Sequence, residues 1–224
     1  MKNKTLWKQV GAAAIAAAMV MSTVPATPVQ AAGGKTLAVS SQKQLNQALK
    51  TVKGKNAVIT VKAGKNVKIT IPKGTYKVTI RVVGKKAAVV NNGTVKEIVV
   101  NSKGTVAIKN NGTIKKVTVQ NAKSVSFSGN HKKAVPVVVN AEDVSMILAA
   151  PAKITAKKDV NIVLKKGAEK SSITCTKNVQ AQVDNQTKKA ISVKIADGTT
   201  LKVESGESCT ITPKGKKEDT SGED

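Results

Sequence analysis

Two features of the sequence could carry acid–base or metal chemistry: a pair of adjacent carboxylates and a single histidine. Glu142 and Asp143 are the only adjacent acidic residues before the C-terminal tail. Adjacent residues of a strand point to opposite faces, so the pair need not converge on a metal ion, and a solvated turn is the simpler interpretation. His131 is followed by two lysines, and it has no neighbouring acid or second histidine that would tune it for proton transfer. The sequence therefore predicts no catalytic residue, no metal site and no cofactor.

The two cysteines, Cys175 and Cys209, lie late in the chain. In an exported protein an oxidised pair is permitted but not required. A disulfide that joins the C-terminal strands and a pair of buried apolar thiols are therefore both compatible with the sequence. Neither cysteine has beside it the histidine or carboxylate that activates a nucleophile, so we assign them no reaction.

Positive charge dominates the composition. Lysine and arginine together number 38 against 13 acidic residues, the formal net charge is +25, and Arg81 is the only arginine. Lysine is a hydrated point charge, whereas arginine supplies the planar fork that reads phosphate and guanine bidentately. The aromatic rings are limited to Trp7, Tyr76 and Phe127, too few and too scattered to stack successive bases or sugars. The sequence thus argues against specific nucleic-acid recognition.

Residues 1–31 have the three-part pattern of a secretory signal peptide. Three lysines precede an apolar run from Val10 to Val20, and small residues end the segment at Ala31. The run is shorter than the roughly 18 to 20 apolar residues that a membrane-spanning helix needs. We expect cleavage after Ala31 and a secreted, extracellular product without a transmembrane segment, either released or held non-covalently at the cell wall.

One helix is predicted near the start of the mature chain. Apolar residues at Leu45, Ala48, Leu49 and Val52 follow the spacing i, i+3, i+4, i+7 of an amphipathic helix. The preceding residues 41–44 have the form of a capping box, and a glycine at position 54 ends the pattern. We therefore expect an N-terminal capping helix within residues 35–56.

Short runs of alternating apolar residues follow the helix and recur at a shift of 19 residues. The shift pairs Val95 with Ile114, Ile98 with Val117, Ile108 with Phe127, Val125 with Val144, and Val160 with Val179. Such recurrence is typical of a solenoid, in which inward side chains stack on the turns above and below. An alternative is an antiparallel meander, in which Asn92-Gly93 and Asn111-Gly112 would form tight hairpin turns.

The C-terminal segment, residues 189–212, has the turn signals Asp197-Gly198 and Ser205-Gly206. These predict antiparallel strands that cap the solenoid, since an uncovered last turn would present an open edge to other chains. We therefore divide the mature chain into the helix, a solenoid over residues 57–188, the cap over 189–212 and a disordered polar tail over 213–224.

The chain resembles the right-handed parallel β-helices of the pectate-lyase-like type found in secreted bacterial proteins. The resemblance lies in the opening helix, in the segment from Val67 to Tyr76 and in the recurring asparagines Asn92, Asn111 and Asn130. It implies an all-β fold: a parallel β-helix, or solenoid, with about 19 residues per turn, a short N-terminal capping helix and an antiparallel C-terminal cap. Family members that cleave acidic polysaccharides carry clustered acids for calcium, whereas the acids here are dispersed, so the catalytic residues of the family are not recognisable.

The repeat creates a row of lysines. Lys96 and Lys115 occupy equivalent positions, Lys77 joins them across a one-residue slip of the repeat near Tyr76, and Lys132 and Lys133 follow beside the next turn. Equivalent residues on stacked turns lie about 4.8 Å apart, so the like charges repel unless a polyanion lies along the stack. Exposed lysines also keep a sheet soluble without binding anything.

Three functions are compatible with these features. The first is a non-enzymatic secreted or cell-surface module that binds an anionic polysaccharide, teichoic acid or mucin glycan through the lysines. The alternatives are a polysaccharide lyase or glycoside hydrolase with an unrecognised site, and a structural spacer. Electrostatic binding would weaken steeply with salt.

Overall fold

The computed structural model describes residues 35–63 and 66–218. The predicted signal peptide and the last residues of the predicted tail lie outside this range. In chain order the described elements are β1 (Lys35–Val39), α1 (Gln42–Thr51), β2 (Ala57–Ala63), β3 (Val67–Ile71), β4 (Thr75–Asn91), β5 (Thr94–Asn110), β6 (Thr113–Ile114), β7 (Val117–Asn121), β8 (Ser124–Gly129), β9 (Val135–Val139), β10 (Val144–Ala149), β11 (Ala152–Ala156), β12 (Val160–Leu164), β13 (Ser172–Cys175), β14 (Ala181–Asn185), β15 (Ile191–Lys194), β16 (Thr200–Val203), β17 (Ser208–Thr212) and β18 (Gly215–Glu218).

The strands form two main parallel ladders. The first ladder runs through β1, β2, β4, β5, β7, β9, β11, β13 and β15, and the second through β3, β4, β5, β8, β10, β12 and β14. Strands β4 and β5 are long enough to bend and join both ladders. The predicted fold class is confirmed: the protein is an all-β parallel solenoid with about 19 residues per turn. The antiparallel meander is wrong, because β4 and β5 pair in parallel from end to end, with register shifts only after Tyr76 and after Gly84.

Two corners connect the ladders in every turn. The first corner leads from the first ladder to the second, as at residues 84–86, 102–104, 121–123 and 140–143. The second corner leads back, as at residues 72–77, 92–96, 111–116 and 130–134. Corners are exposed and tolerate changes in length better than the packed strands do, so the corners carry the variable and charged parts of each turn.

Stacked aliphatic side chains form the core. One column on the first ladder places a buried residue of each turn directly on the next: Ile80, Ile98, Val117, Val137, Ile154, Ile173 and Val193. Burying a side chain of this size stabilises the fold by about 1.5–3 kcal/mol. The alternation seen in the sequence thus becomes a continuous core, although no single turn could bury its own apolar face.

The shift of 19 residues holds from β5 to β8 but differs both before and after, since Ala57 already pairs with Val78 and Ile80 with Ile98. Val125 pairs with Met146 rather than with Val144, and Val160 pairs with Ala181 rather than with Val179. The corner at residues 140–143 is longer than the corner at 121–123. The strands are aligned by the stacking of their inward side chains, and the additional residues are accommodated in the corners. The number of residues between stacked positions therefore changes from turn to turn.

Both ends of the solenoid are capped. Ser41 is the N-cap of α1, and its side chain accepts a hydrogen bond from the Gln44 amide, as expected of the capping sequence. The predicted helical segment also contains β1, which pairs in parallel with β2 and was not predicted. At the other end β16, β17 and β18 pair antiparallel. Strand β18 lies in the segment expected to be a disordered tail, and residues 215–218 are a strand instead because their backbone groups pair with β17.

Candidate functional site: a lysine column at the second corner

Three of the predicted lysines lie at corresponding points of successive turns. Thr75, Thr94 and Thr113 are aligned on successive turns, and so are Tyr76, Val95 and Ile114. The residues that follow these aligned pairs are Lys77, Lys96 and Lys115, and all three side chains are exposed. We call these three residues the lysine column. Lys96 and Lys115 are about 4.8 Å apart at their backbones along the hydrogen-bonding direction, whereas a register shift between Tyr76 and Thr79 interrupts the pairing of Lys77 with Lys96.

Two buried asparagines hold the corner that presents the column. Asn91 and Asn110 end strands β4 and β5, and the Asn91 Nδ2 donates to the Asn110 Oδ1 at 2.8 Å. The Asn91 Oδ1 accepts from the amide of Gly93, and the Asn110 Oδ1 accepts from the amide of Gly112. These bonds satisfy the backbone groups freed where the chain leaves the second ladder, so the bend is the same on both turns.

The sequence singled out the neighbouring asparagines instead of this buried pair. Asn92 and Asn111 are stacked as expected, with the Asn111 Nδ2 donating to the Asn92 Oδ1 at 3.0 Å on the outside of the corner. Asn91 and Asn110 have the same 19-residue spacing. Each asparagine ends a run of alternating apolar residues, at a position where the alternation predicts an inward-pointing side chain. This position was the signal that could have identified them as buried.

Glycine lets the corners of successive turns approach closely. A Cβ on Gly112 would lie 2.1 Å from the carbonyl oxygen of Gly93, the equivalent residue of the preceding turn. No side chain fits at that distance, so the glycine of each Asn-Gly pair is required by close packing and not by a hairpin turn. The lysines that follow are thereby brought to the strand spacing.

Lys132 and Lys133 lie beside the column on the next turn. They line a cavity of about 320 Å³ together with Thr113 and Ile114 of the preceding turn. The shift from Val117 to Val137 is one residue longer than in the turn before. The two lysines therefore extend the basic surface but do not continue the register of the column.

His131 lines the same cavity, and its ring is engaged by the backbone. Its Nδ1 lies 3.2 Å from the carbonyl oxygen of Asn110 and its Nε2 lies 3.0 Å from that of Pro151. The ring also packs on Phe127, with ring centroids 5.2 Å apart. The histidine therefore connects three successive turns, and both of its ring nitrogens face backbone carbonyl oxygens.

The acids nearest the column are occupied elsewhere. Glu97 follows Lys96 in the chain, and its carboxylate lies 3.4 Å from the Lys116 Nζ and accepts a hydrogen bond from the Thr118 hydroxyl at 2.6 Å. Within residues 35–63 and 66–218 the ion pairs involve Lys116, Lys158 and Lys216. None of the five lysines predicted to bind a polyanion takes part in these pairs, so their charges stay uncompensated.

The first corner brings a third carboxylate to the pair named from the sequence. Glu142, Asp143 and Asp159 line a cavity of about 400 Å³ with Lys158 and two further lysines. The sequence missed Asp159, which joins the cavity because residues 143 and 159 are equivalent on successive turns. The Lys158 ammonium, 2.6 Å from Glu142, lowers the pKa of that carboxyl by hydrogen bonding and by its charge. In the part of the chain that the structure describes, no group of three His, Cys, Asp or Glu residues could hold a metal ion.

Both cysteines are buried, and neither is in a disulfide. Burial raises the pKa of the Cys175 thiol to about 11, with a smaller contribution from the charge of Asp159. A thiol with such a pKa is protonated at neutral pH and is a poor nucleophile. Cys209 is hydrogen-bonded to the Glu207 side chain. The geometry corresponds to the second of the two alternatives, a pair of thiols in the core of the cap.

Comparisons with protein-family models, with curated proteins and with solved structures each found no match. Membership of the pectate-lyase-like family therefore stays a prediction, whereas the parallel β-solenoid is shown by the structure. None of the helices among the described residues has both the length and the apolar character needed to cross a membrane.

Proposed function

We propose that this protein is a non-enzymatic secreted or cell-surface module that binds an anionic polymer along the lysine column. The observation that carries the proposal is that Lys77, Lys96 and Lys115 each directly follow a residue that is aligned on three successive turns. No ion pair among the described residues neutralises them. Lys132 and Lys133 widen the same surface on the following turn.

Repulsion within the column favours a polyvalent ligand. Two unit charges at the strand spacing repel by roughly 1 kcal/mol in water, and flexible side chains lower this by spreading apart. A polymer that carries several negative charges relieves the repulsion at all three lysines at once and releases the counterions bound to its own charges. We therefore expect binding that depends strongly on ionic strength.

The class of ligand follows from the chemistry of lysine. An ammonium group attracts carboxylate, sulfate and phosphate without the bidentate geometry that arginine would impose. Acidic polysaccharides, teichoic acids and sulfated or sialylated mucin glycans share this requirement. The signal-peptide pattern of residues 1–31 supports a location outside the cell, where such polymers are found.

The test removes three charges from either of two places. Residues 32–224 are passed over an immobilised polyuronate at increasing salt, as the native chain and as two triple variants. The column variant is Lys77→Gln, Lys96→Gln and Lys115→Gln. The matched control, at exposed positions of the single loop between β12 and β13, is Lys165→Gln, Lys166→Gln and Lys170→Gln.

We expect the column variant to lose about tenfold in affinity, since an exposed charge pair contributes about 0.2–1 kcal/mol and three are removed. The control variant should lose much less at the same net charge. Equal losses would mean that retention follows total charge alone, and absence of retention in the native chain would leave the structural spacer as the better interpretation.

A second candidate function, cleavage of a polysaccharide, rests on the three carboxylates of the first corner. A general acid needs a raised pKa, whereas Lys158 lowers the pKa of Glu142. One oxygen of Asp159 accepts a hydrogen bond from the Gln180 amide at 2.9 Å. Release of products from acidic polysaccharides that is abolished by Glu142→Gln would establish this activity in place of simple binding.

A further inference from the structure

A cavity of about 480 Å³ lies between α1 and the corner at residues 72–77. Its volume falls within the range of about 300–1,000 Å³ found for small-ligand sites. The apolar wall of the cavity is formed by Leu49, Pro72 and Tyr76. Its cationic rim is formed by Lys50, Lys53 and Lys73. It contains no acidic residue among its lining side chains.

Tyr76 is held in one position at this cavity. Its hydroxyl donates to the carbonyl oxygen of Lys73 at 3.2 Å. The ring lies against two glycines, since a Cβ on Gly74 would come within 3.0 Å of the ring carbon Cζ and a Cβ on Gly93 within 3.1 Å of Cε2. A ring that is already ordered loses little entropy when a ligand stacks on it.

The position of Tyr76 connects the cavity to the lysine column. Tyr76 directly precedes Lys77, and on the next two turns its place is taken by Val95 and Ile114. The chain therefore passes directly from the cavity, which Tyr76 lines, to Lys77, the first lysine of the column.

The side chains that meet here favour an acidic sugar. A tyrosine ring offers an apolar face to the C–H groups of a pyranose and a polar hydroxyl at its edge, and the lysines of the rim attract a carboxylate or sulfate. A neutral sugar would leave these cations uncompensated, and polyphosphate has no apolar face to stack. Single-stranded nucleic acids are bound by several rings in series, whereas Tyr76 is the only tyrosine of the chain.

We propose that this cavity is a subsite for one acidic sugar unit, with Tyr76 as the stacking ring and the lysines of α1 and of the corner as the anion-binding groups. The inference rests on the proposed function, because it specifies the anionic polymer as an acidic glycan. It adds a subsite with its own residues and its own spectroscopic signal.

Tyrosine fluorescence reports on the subsite directly. Tyr76 is the only tyrosine, and the only tryptophan, Trp7, precedes residue 32. We would titrate residues 32–224 with a hexuronic acid oligosaccharide, the corresponding neutral oligosaccharide, inorganic polyphosphate and a single-stranded DNA oligonucleotide. The uronic acid oligosaccharide should change the fluorescence in a salt-dependent way, and the other three should leave it nearly unchanged. A stronger response to the oligonucleotide or to polyphosphate would overturn the assignment to a sugar.

Variants separate stacking from folding. Tyr76→Ile removes the ring but places there the residue type found at the equivalent position 114, so the fold should tolerate it. Calorimetry should show about a tenfold loss of affinity for the uronic acid oligosaccharide, in line with the cost of losing one stacking ring. Tyr76→Phe keeps the ring and should bind like the native chain. Equal affinity of the native chain and Tyr76→Ile would refute the subsite.

The two proposals fail in different ways. If the column variant loses retention on the polyuronate but Tyr76 does not respond to the oligosaccharide, the subsite is wrong and the column stands. If the column variant binds like the native chain, the proposed function is wrong. A response at Tyr76 without any effect of the column lysines would show that the cavity binds sugars independently of the column.

Discussion

The side-chain amide of Gln42 forms hydrogen bonds to both main-chain groups of Thr70. The Thr70 amide donates to the Gln42 Oε1 at 2.6 Å, and the Gln42 Nε2 donates to the Thr70 carbonyl oxygen at 2.8 Å. Thr70 lies in β3, the first strand of the second ladder, which pairs with β4 on its other side. The glutamine thus completes the strand as a neighbouring peptide group would, and it blunts an edge that could otherwise pair with another chain.

Removal of this amide should weaken the N-terminal end. Gln42→Ala loses the exposed hydrogen bond to Asn46 and both hydrogen bonds to Thr70. Because each of the latter two contributes about 0.5–1.5 kcal/mol, we expect the free energy of unfolding to fall by at least about 1–3 kcal/mol. Gln42→Glu should be similarly costly, because a carboxylate faces the Thr70 carbonyl oxygen without a proton to donate. Urea denaturation measures both, with the exposed Gln47→Ala as the control on the same helix. A loss no greater than that of the control would show that the amide does not cap the ladder.

The two buried asparagines should respond differently to the same substitution. Asn91 Nδ2 donates to the Gly93 carbonyl, the Asn110 Oδ1 and the Thr113 carbonyl, whereas the Nδ2 of Asn110 has no partner among the described residues. Asn91→Asp therefore loses three hydrogen bonds and places a carboxylate oxygen next to three oxygen atoms that need a donor. Asn110→Asp keeps the oxygen that accepts hydrogen bonds from its neighbours. Both substitutions bury an additional charge, so the difference between their free energies of unfolding reports on the lost hydrogen bonds.

We expect Asn91→Asp to be less stable than Asn110→Asp by about 2–3 kcal/mol, the cost of leaving buried polar groups unsatisfied. The measurement is the difference between the two urea transitions at one pH. Equal destabilisation by the two substitutions would mean that buried charge alone decides the outcome.

The antiparallel cap should weaken in acid. The Lys216 ammonium lies 2.6 Å from Glu207, and its hydrogen bond is the largest of the causes that hold the pKa of this carboxyl below its ordinary value. A group whose pKa is lower in the folded than in the unfolded state stabilises the fold above the unfolded value and loses that contribution as the pH falls through the folded value. The contribution of this partly exposed pair is about 1 kcal/mol or less.

Hydrogen exchange of the amides of β17 between pH 6 and pH 3 measures this effect. Protection should fall more in the native chain than in Glu207→Gln, which lacks the ionisable group. Glu204→Gln, at an exposed position of the same turn, is the control. Identical pH dependence in all three chains would contradict the assignment.

The thiols of the cap should be inert in the native state. Cys175 and Cys209 are both buried, and the Cys175 thiol, with its pKa raised to about 11, has almost no thiolate at neutral pH. A small alkylating reagent should therefore modify neither residue until urea unfolds the cap, and then both. Mass spectrometry measures the number of alkylated cysteines, and no reductant is added because it would open a disulfide. Failure of the unfolded chain to react would show that the cysteines are joined as a disulfide.

The sequence alone predicted the features that depend on short-range patterns. Alternation of apolar residues and their recurrence after about 19 positions required side chains to stack between turns, and this requirement holds whichever corner length joins the strands. The capping sequence at Ser41 and the spacing from Leu45 to Val52 predicted the helix for the same reason, since its signals lie within a few residues of one another. The row from Lys77 to Lys115 was predicted because each of these lysines directly follows a residue of the repeating apolar pattern.

Only the tertiary structure decided the contacts that join distant turns. The pairing of Val125 with Met146 depends on the lengths of corners that no repeat determines. The bonds between Gln42 and Thr70 span 28 residues, and the approach of Asp159 to Glu142 follows from the register of β10 and β12. Tyr76 was one scattered ring in the sequence, but α1 packs beside its corner and makes it the wall of a cavity. Such contacts depend on where successive turns end and on how side chains are directed there, which periodicity does not specify.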